Sequence, residues 1–203
     1  MRLARVYPIV ESAAWVGRLV DQGARLVQLR MKERAPGEVR EALRASLRCC
    51  AAAGAQLVLN DYWPLALEEG CNFVHLGQGD LDRADVPALK RAGVRLGVST
   101  HDEGELERAL ALSPDYVALG PIYPTLLKAM AFAPQGLARI GEWRRRIGDL
   151  PLVAIGGITL ERLPGVLASG ADSAAVVTDI VRNADPDTRI RAWLAAAEGR
   201  TPA

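Results

Sequence analysis

Hydrophobic and polar positions alternate along the chain in two rhythms. Short runs dense in apolar and β-branched residues fall at Ala4–Val10, Arg25–Arg30, Ala55–Asn60, Phe73–Gly77, Arg95–Thr100, Tyr116–Gly120, Leu152–Ile155 and Ser173–Thr178. Their length and composition predict β-strands. Each is followed by a stretch with helical spacing: Ala13–Gln22, Gly37–Ala53, Trp63–Glu69, Val86–Ala92, Glu103–Leu112, Gly136–Ile147, Leu160–Ser169 and Pro186–Glu198. Gly23, Gly54, Gly70, Gly93 and Gly170 each sit between a helical stretch and the next strand, where a left-handed C-cap is expected.

Eight such repeats in 203 residues, without a linker or a break in composition, predict one α/β unit spanning 1–203. Alternating strands and helices favour a parallel sheet with helices outside. Eight even repeats suit a closed (β/α)8 TIM barrel better than an open doubly wound sheet. The longest stretch with no regular pattern, Pro121–Gln135, follows the sixth strand and is placed to be a lid over the active face.

Composition narrows the function classes. Half of the residues are hydrophobic, enough for one well-filled core. A net charge of +1 argues against a nucleic-acid or anionic-membrane partner. No apolar run approaches the roughly 20 residues that cross a bilayer. The opening MRLARVYPIV passes into a strand pattern and has no signal-peptide character. Cys49, Cys50 and Cys71 show neither metal-type spacing nor a disulfide framework, so they read as reduced thiols of a cytoplasmic protein. Oligomeric state is not legible.

Candidate chemistry centres on LVLNDYWPLALEEGCNFVHLGQGD. Its two strands end in Asn60-Asp61 and in Gln78-Gly79-Asp80. In a parallel sheet both ends point the same way, which would bring Asp61 and Asp80 together at one rim. Two carboxylates with a carboxamide nearby are hard oxygen ligands suited to Mg²⁺ holding a phosphorylated substrate. Taken singly, each Asp is better explained as a cap or a turn residue.

In LVQLRMK, Val27 and Leu29 share one face while Gln28 and Arg30 share the other. The apolar face should meet the helices, which puts Gln28 and Arg30 inside the barrel and Lys32 beyond them at the rim; Arg30 and Lys32 together would form an anion clamp, whereas Lys32 alone reads as a solvent-reaching residue. In RLGVST, Gly97 and Ser99 face inward, leaving room for a ligand that the Ser99 hydroxyl can bond. His101 reads as a local cap and His75 as a hydrogen-bonded core histidine. Thr125 and Lys128 fall on the loop after the sixth strand. Gly156-Gly157 and Val177-Thr178 end the seventh and eighth strands, whose loops bind phosphate in many barrels. Arg144-Arg145-Arg146 reads as a solvated mid-helix face, and Trp15, Trp63, Trp143 and Trp193 as packing.

Taken together, QLRMK, LVLNDYWPLALEEG, VHLGQGD, LGVSTH, GPIYPTLLK, VAIGGIT and GADSAAVVTDI resemble, in this order, the thiamine phosphate synthase family. The resemblance runs from about Arg25 to Ile180. It implies a barrel that joins a pyrimidine diphosphate to a thiazole phosphate with release of pyrophosphate. Carried over by position, Gln28, Arg30, Lys32, Asn60, Ser99 and Lys128 would hold the pyrimidine diphosphate, with Arg30, Asn60, Ser99 and Lys128 taking part in the reaction. Asp61 and Asp80 would bind Mg²⁺. Thr125, Leu127, Gly156, Gly157, Val177 and Thr178 would hold the thiazole phosphate. Leu127 departs from the family's Thr-x-Thr-Lys pattern, leaving only its backbone N–H to donate. The rivals are a related thiazole tautomerase, with His75 or His101 as base, and a non-catalytic barrel that senses a phosphorylated ligand.

Overall fold

A computed structural model describes residues 3–125 and 132–199. Eight parallel strands close into a barrel in chain order, with β8 paired back to β1. They are β1 (Val6–Val10), β2 (Leu26–Leu29), β3 (Gln56–Asn60), β4 (Phe73–Leu76), β5 (Arg95–Thr100), β6 (Tyr116–Leu119), β7 (Leu152–Ile155) and β8 (Ser173–Val176). Around them run α1 (Ala13–Asp21), α2 (Pro36–Ala53), α3 (Trp63–Glu69), α4 (Gln78–Leu81), α5 (Val86–Arg91), α6 (Glu103–Ala111), α7 (Gly136–Ile147), α8 (Leu163–Ala168), α9 (Thr178–Val181) and α10 (Pro186–Ala197). The predicted barrel is present. Among the described residues no helix is long and apolar enough to cross a membrane.

Strand alternation sorts the core into two layers. Val27, Leu29, Leu57, Leu59, Val74, Leu76, Val117 and Leu119 point outward and pack under the helices. Tyr7, Ile9, Leu26, Val58, Phe73, Tyr116, Ala118, Val153 and Ala175 fill the barrel itself. Gln28, lying between Val27 and Leu29, takes the inward parity predicted for it and is buried.

Local signals set the helix starts. Ser12 Oγ accepts from the Trp15 backbone N–H, and the Asp85, Asp102 and Asp185 carboxylates cap α5, α6 and α10 in the same way. Pro36 opens α2, and Gly54 ends it in the left-handed region at φ 61°. Trp143 and Trp193 are fully buried and are also tied by their indole N–H groups, to Thr100 Oγ1 at 2.9 Å and Asp179 Oδ2 at 2.7 Å. Trp15 and Trp63 pack against the same core from its edge.

Three features depart from the sequence reading. The four-residue helices α4 and α9 follow β4 and β8 directly, too short to leave a helical period. The stretch Leu160–Ser169 divides into a 3-10 turn over Leu160–Arg162 and then α8, with Pro164 in its first turn. The arginine run lies in the last turn of α7, not mid-helix. Arg144 there donates to the carbonyls of Gly148, Leu150 and Gly170 and pairs with Asp172, while Arg146 pairs with Glu103 at 2.7 Å. Cations suit a helix C-terminus; Arg144 stitches it to the loops that follow and Arg146 ties it to the start of α6.

Candidate active site

The end of β3 turns sharply. Asp61 adopts φ 64°, a left-handed conformation that Asp tolerates better than most residues, and its N–H donates to the His75 carbonyl of β4 at 3.0 Å. On the next strand, Gly77 leads into α4, whose first turn carries Asp80. A β-carbon on Gly77 would stand 3.1 Å from the Asp80 carboxylate, so glycine leaves that side chain space.

The two acids do meet. Burial and then the adjacent Asp80 carboxylate push the Asp61 carboxyl above its usual range, while Lys32 and Arg30 pull it back. Lys32 Nζ lies 3.7 Å from Asp61 Oδ2 and remains half exposed. Arg30 is half-buried just past β2, where its backbone N–H donates to Val10 O at 2.8 Å, and it makes no ion pair with any described residue. Two anions from β3 and β4 and two cations from β2 thus share one rim. Among the described residues no three His, Cys, Asp or Glu side chains converge, so the pair is not a closed metal cage.

Below this rim the interior is polar and buried. Gln28 Nε2 donates to the Tyr7 hydroxyl at 2.9 Å. The Tyr7 and Tyr116 hydroxyls are 3.0 Å apart, and Tyr116 Oη lies 2.7 Å from His75 Nδ1. His75 Nε2 lies 2.8 Å from Ser99 Oγ, and Gln78 Nε2 donates to the Ser99 carbonyl at 2.7 Å. Asn60, at the end of β3, is buried beside His75 in the strand register. His75 is the hydrogen-bonded core histidine expected.

The sequence pattern does not single out Tyr7 and Tyr116. Their inward parity, shared with Gln28 and Ser99, was the available signal. Gly97 leaves no room for a ligand: the space is taken by the Tyr116 ring, which lies where its β-carbon would be. His101 stands one residue before the cap, which is Asp102. Its backbone N–H and Nδ1 both bond Glu105 Oε2 at 2.7 Å, and its ring stacks on Phe132 at 4.5 Å.

The far side of the rim is built by glycine. Gly156 and Gly157 have φ 99° and 63°, and β-carbons on them would stand 2.6 Å from Pro121 Cα and 2.4 Å from Pro124 O. The segment after β6 lies on them, with Tyr123 N–H bonded to Gly156 O at 3.0 Å. Their identity is therefore already required by this packing. Thr125 ends the described part of that segment, half-buried. Arg162, not singled out in the sequence, donates to Gly157 O at 2.5 Å and covers the Tyr123 ring at 4.3 Å. Val177 caps α9 and Thr178 is its first residue. Leu127 and Lys128, with the middle of the predicted lid, lie outside the described residues.

Comparison with known proteins gives the family. A family model described as thiamine monophosphate synthase matches residues 6–180. The thiamine-phosphate synthase of Rhizobium etli is 62% identical over 97% of this chain and 96% of its own. That of Cronobacter sakazakii is 49% identical over 89% and 86%. Among solved structures, thiamine phosphate pyrophosphorylase from Pyrococcus furiosus superposes with a TM-score of 0.86 at 22% identity, covering 97% of this chain and 96% of that one, which shows the shared fold. By the reach of the family model and the identity to these relatives, the chain belongs to the thiamine monophosphate synthase family.

Proposed function

We propose that the protein joins a pyrimidine methyl diphosphate to a thiazole phosphate, forming thiamine phosphate and releasing pyrophosphate. The observation that carries this reading is the meeting of Asp61 and Asp80 beside Lys32 and Arg30. Two adjacent carboxylates are costly unless a cation joins them. Their hard oxygens fit Mg²⁺, which is commonly held by one or two carboxylates plus substrate phosphates. When bound there, Mg²⁺ would neutralise charge on the diphosphate.

The protein's own groups would then act by position and charge. Arg30, Lys32 and, carried over from the family resemblance, Lys128 take up the negative charge that grows as the diphosphate leaves. Gln28, Asn60 and Ser99 fix the pyrimidine, whose electron-rich ring stabilises the methylene cation left behind. The walls around them are buried, which keeps water from that cation. Thr125, Leu127, Gly156, Gly157, Val177 and Thr178 hold the thiazole phosphate so that its ring nitrogen is the nucleophile that reaches the carbon. No protein nucleophile is needed. The tautomerase alternative requires an available imidazole, which His75 is not, since both its nitrogens are engaged, and it has no use for the cluster of Asp61, Asp80, Lys32 and Arg30.

Pyrophosphate release, measured with both substrates and Mg²⁺, tests the reading. Release should require all three components. Turnover undiminished in chelator-treated, metal-free buffer would overturn the metal role, and tight ligand binding with no release would overturn the enzyme.

A further inference from the structure

The buried chain Gln28–Tyr7–Tyr116–His75–Ser99 has one fixed donor at its end, and pairing every buried hydroxyl proton from there gives it a direction. The Gln28 amide nitrogen can only donate, so the Tyr7 oxygen accepts from it at 2.9 Å. Tyr7 has one proton, and the next partner in the chain is the Tyr116 oxygen at 3.0 Å. Tyr116 in turn has one proton to give, to His75 Nδ1 at 2.7 Å. A neutral imidazole that accepts at Nδ1 carries its proton on Nε2, which faces Ser99 Oγ at 2.8 Å. The Ser99 hydroxyl proton is then the one not used inside the chain.

We propose that Tyr7, Tyr116 and His75 are positioning residues, forming with Gln28 a one-way hydrogen-bond chain that fixes His75 as its Nε2–H tautomer and presents Ser99 to the substrate as a donor. This rests on the reading of Ser99 as a substrate contact. It adds a preference of specificity: with one Ser99 lone pair taken by His75 Nε2–H, the hydroxyl proton is free for an acceptor on the ligand, such as a ring nitrogen or a diphosphate oxygen.

Burial makes the order stiff. Tyr7, Tyr116 and Gln28 are at most 2% exposed, so water is not at hand to reverse a link. Gly97 on β5 has no side chain, and the Tyr116 ring lies against it, stacked on His75 at 5.5 Å. Protonated His75 would set two donors, Nδ1–H and the Tyr116 hydroxyl, against each other. Burial, and after it the Arg30 guanidinium, also hold the imidazole down to about 4, well below its ordinary value.

The experiment is nitrogen NMR of the His75 ring in the ligand-free protein. The chain has two histidines, so His101→Asn assigns the signals. Wild type should show the Nε2–H tautomer alone; the Nδ1–H form would overturn the proposal. Gln28→Met and Tyr7→Phe each remove the group that sets direction, and should give both tautomers. A pure Nε2–H signal in whichever of them folds would show that the chain does not set it, and would also overturn the proposal. In steady-state assays Tyr116→Phe should lower kcat about tenfold, the scale of one hydrogen bond. It should add nothing further in a Ser99→Ala background, and additive losses would count against coupling through Ser99. A wild type that releases no pyrophosphate would sink the functional reading while leaving the tautomer result intact.

Discussion

The ring of Tyr116 lies across Gly97 on the neighbouring strand: a β-carbon at residue 97 would stand 2.1 Å from Tyr116 Cζ and 2.5 Å from its hydroxyl oxygen. The two residues face each other in the β5–β6 register. The barrel interior therefore spends a side-chain position to seat one tyrosine. Gly97→Ala should force that ring out of its slot, at the ~1–3 kcal/mol typical of overpacking. The displaced hydroxyl would leave His75 and Tyr7, so activity should fall with stability. Urea denaturation and pyrophosphate release check both, and an alanine variant as stable and active as wild type would refute the packing account.

Asp61→Asn separates function from stability. Asparagine tolerates the left-handed backbone at φ 64°, so the turn survives, whereas alanine would add strain. The folded-state carboxyl is raised above its usual value by burial and by Asp80, so its ionised form opposes folding at neutral pH. In metal-free buffer the variant should melt at a higher temperature than wild type. Its kcat/KM should drop by about 100-fold or more, since charge neutralisation at such a site is worth several kcal/mol. A variant less stable and equally active would refute both halves.

Residue parity carried much of this site. Alternation places Gln28 and Ser99 inward, and a parallel barrel places the ends of β3 and β4 at one rim, so the sequence alone pairs Asp61 with Asp80. The links that cross the barrel were not legible, because Tyr7 and Tyr116 are 109 residues apart and no local period reports their contact. Parity marked Gly97 as inward but could not say whether a ligand or a tyrosine fills the gap. The roles of Arg144 and of the short helices α4 and α9 depend on which loops lie beside them, and tertiary neighbours leave no trace in a four-residue window.

Two glycines with the same backbone test what the far rim demands. Gly54 and Gly157 have φ 61° and 63°, but a β-carbon on Gly54 meets nothing within 4 Å, whereas one on Gly157 stands 2.4 Å from Pro124 O. Gly54→Ala should therefore cost only left-handed strain, roughly 1–2 kcal/mol. Gly157→Ala should cost more and raise KM for the thiazole phosphate, because the segment at Tyr123–Pro124 must move. Equal losses in the two variants, by chemical denaturation, would show that contact is irrelevant.

Cysteine reactivity reports the fit of the helical layer. Cys50 is buried, and burial pushes its thiol up to about 11; Cys71 is buried and raised for the same first reason. Cys49 is half-buried. At pH 8 only about one Cys50 in a thousand would be thiolate. Native protein should take up iodoacetamide at Cys49 alone, and all three thiols should react after unfolding. Mass spectrometry showing prompt modification of Cys50 would contradict the packing of α2.

His75 sets a pH dependence whose sign can be worked out. Its folded value is lowered to about 4 by burial and then by Arg30, against about 6.5 when unfolded. Between those values the unfolded chain binds more protons than the folded one, so stability increases with pH there. The contribution of neutral His75 is complete above about pH 6.5 and is lost as pH falls through that window to about 4. The gap corresponds to about 3 kcal/mol. The Tyr116 hydroxyl donating to Nδ1 and the Arg30 charge both act against the imidazolium, so ligand-free protein should show no His75 ring titration between pH 5 and 8. In proton NMR with His101→Asn as the assignment control, a His75 midpoint near 6.5 would mean that the buried chain is hydrated and the interior of the barrel is open to water.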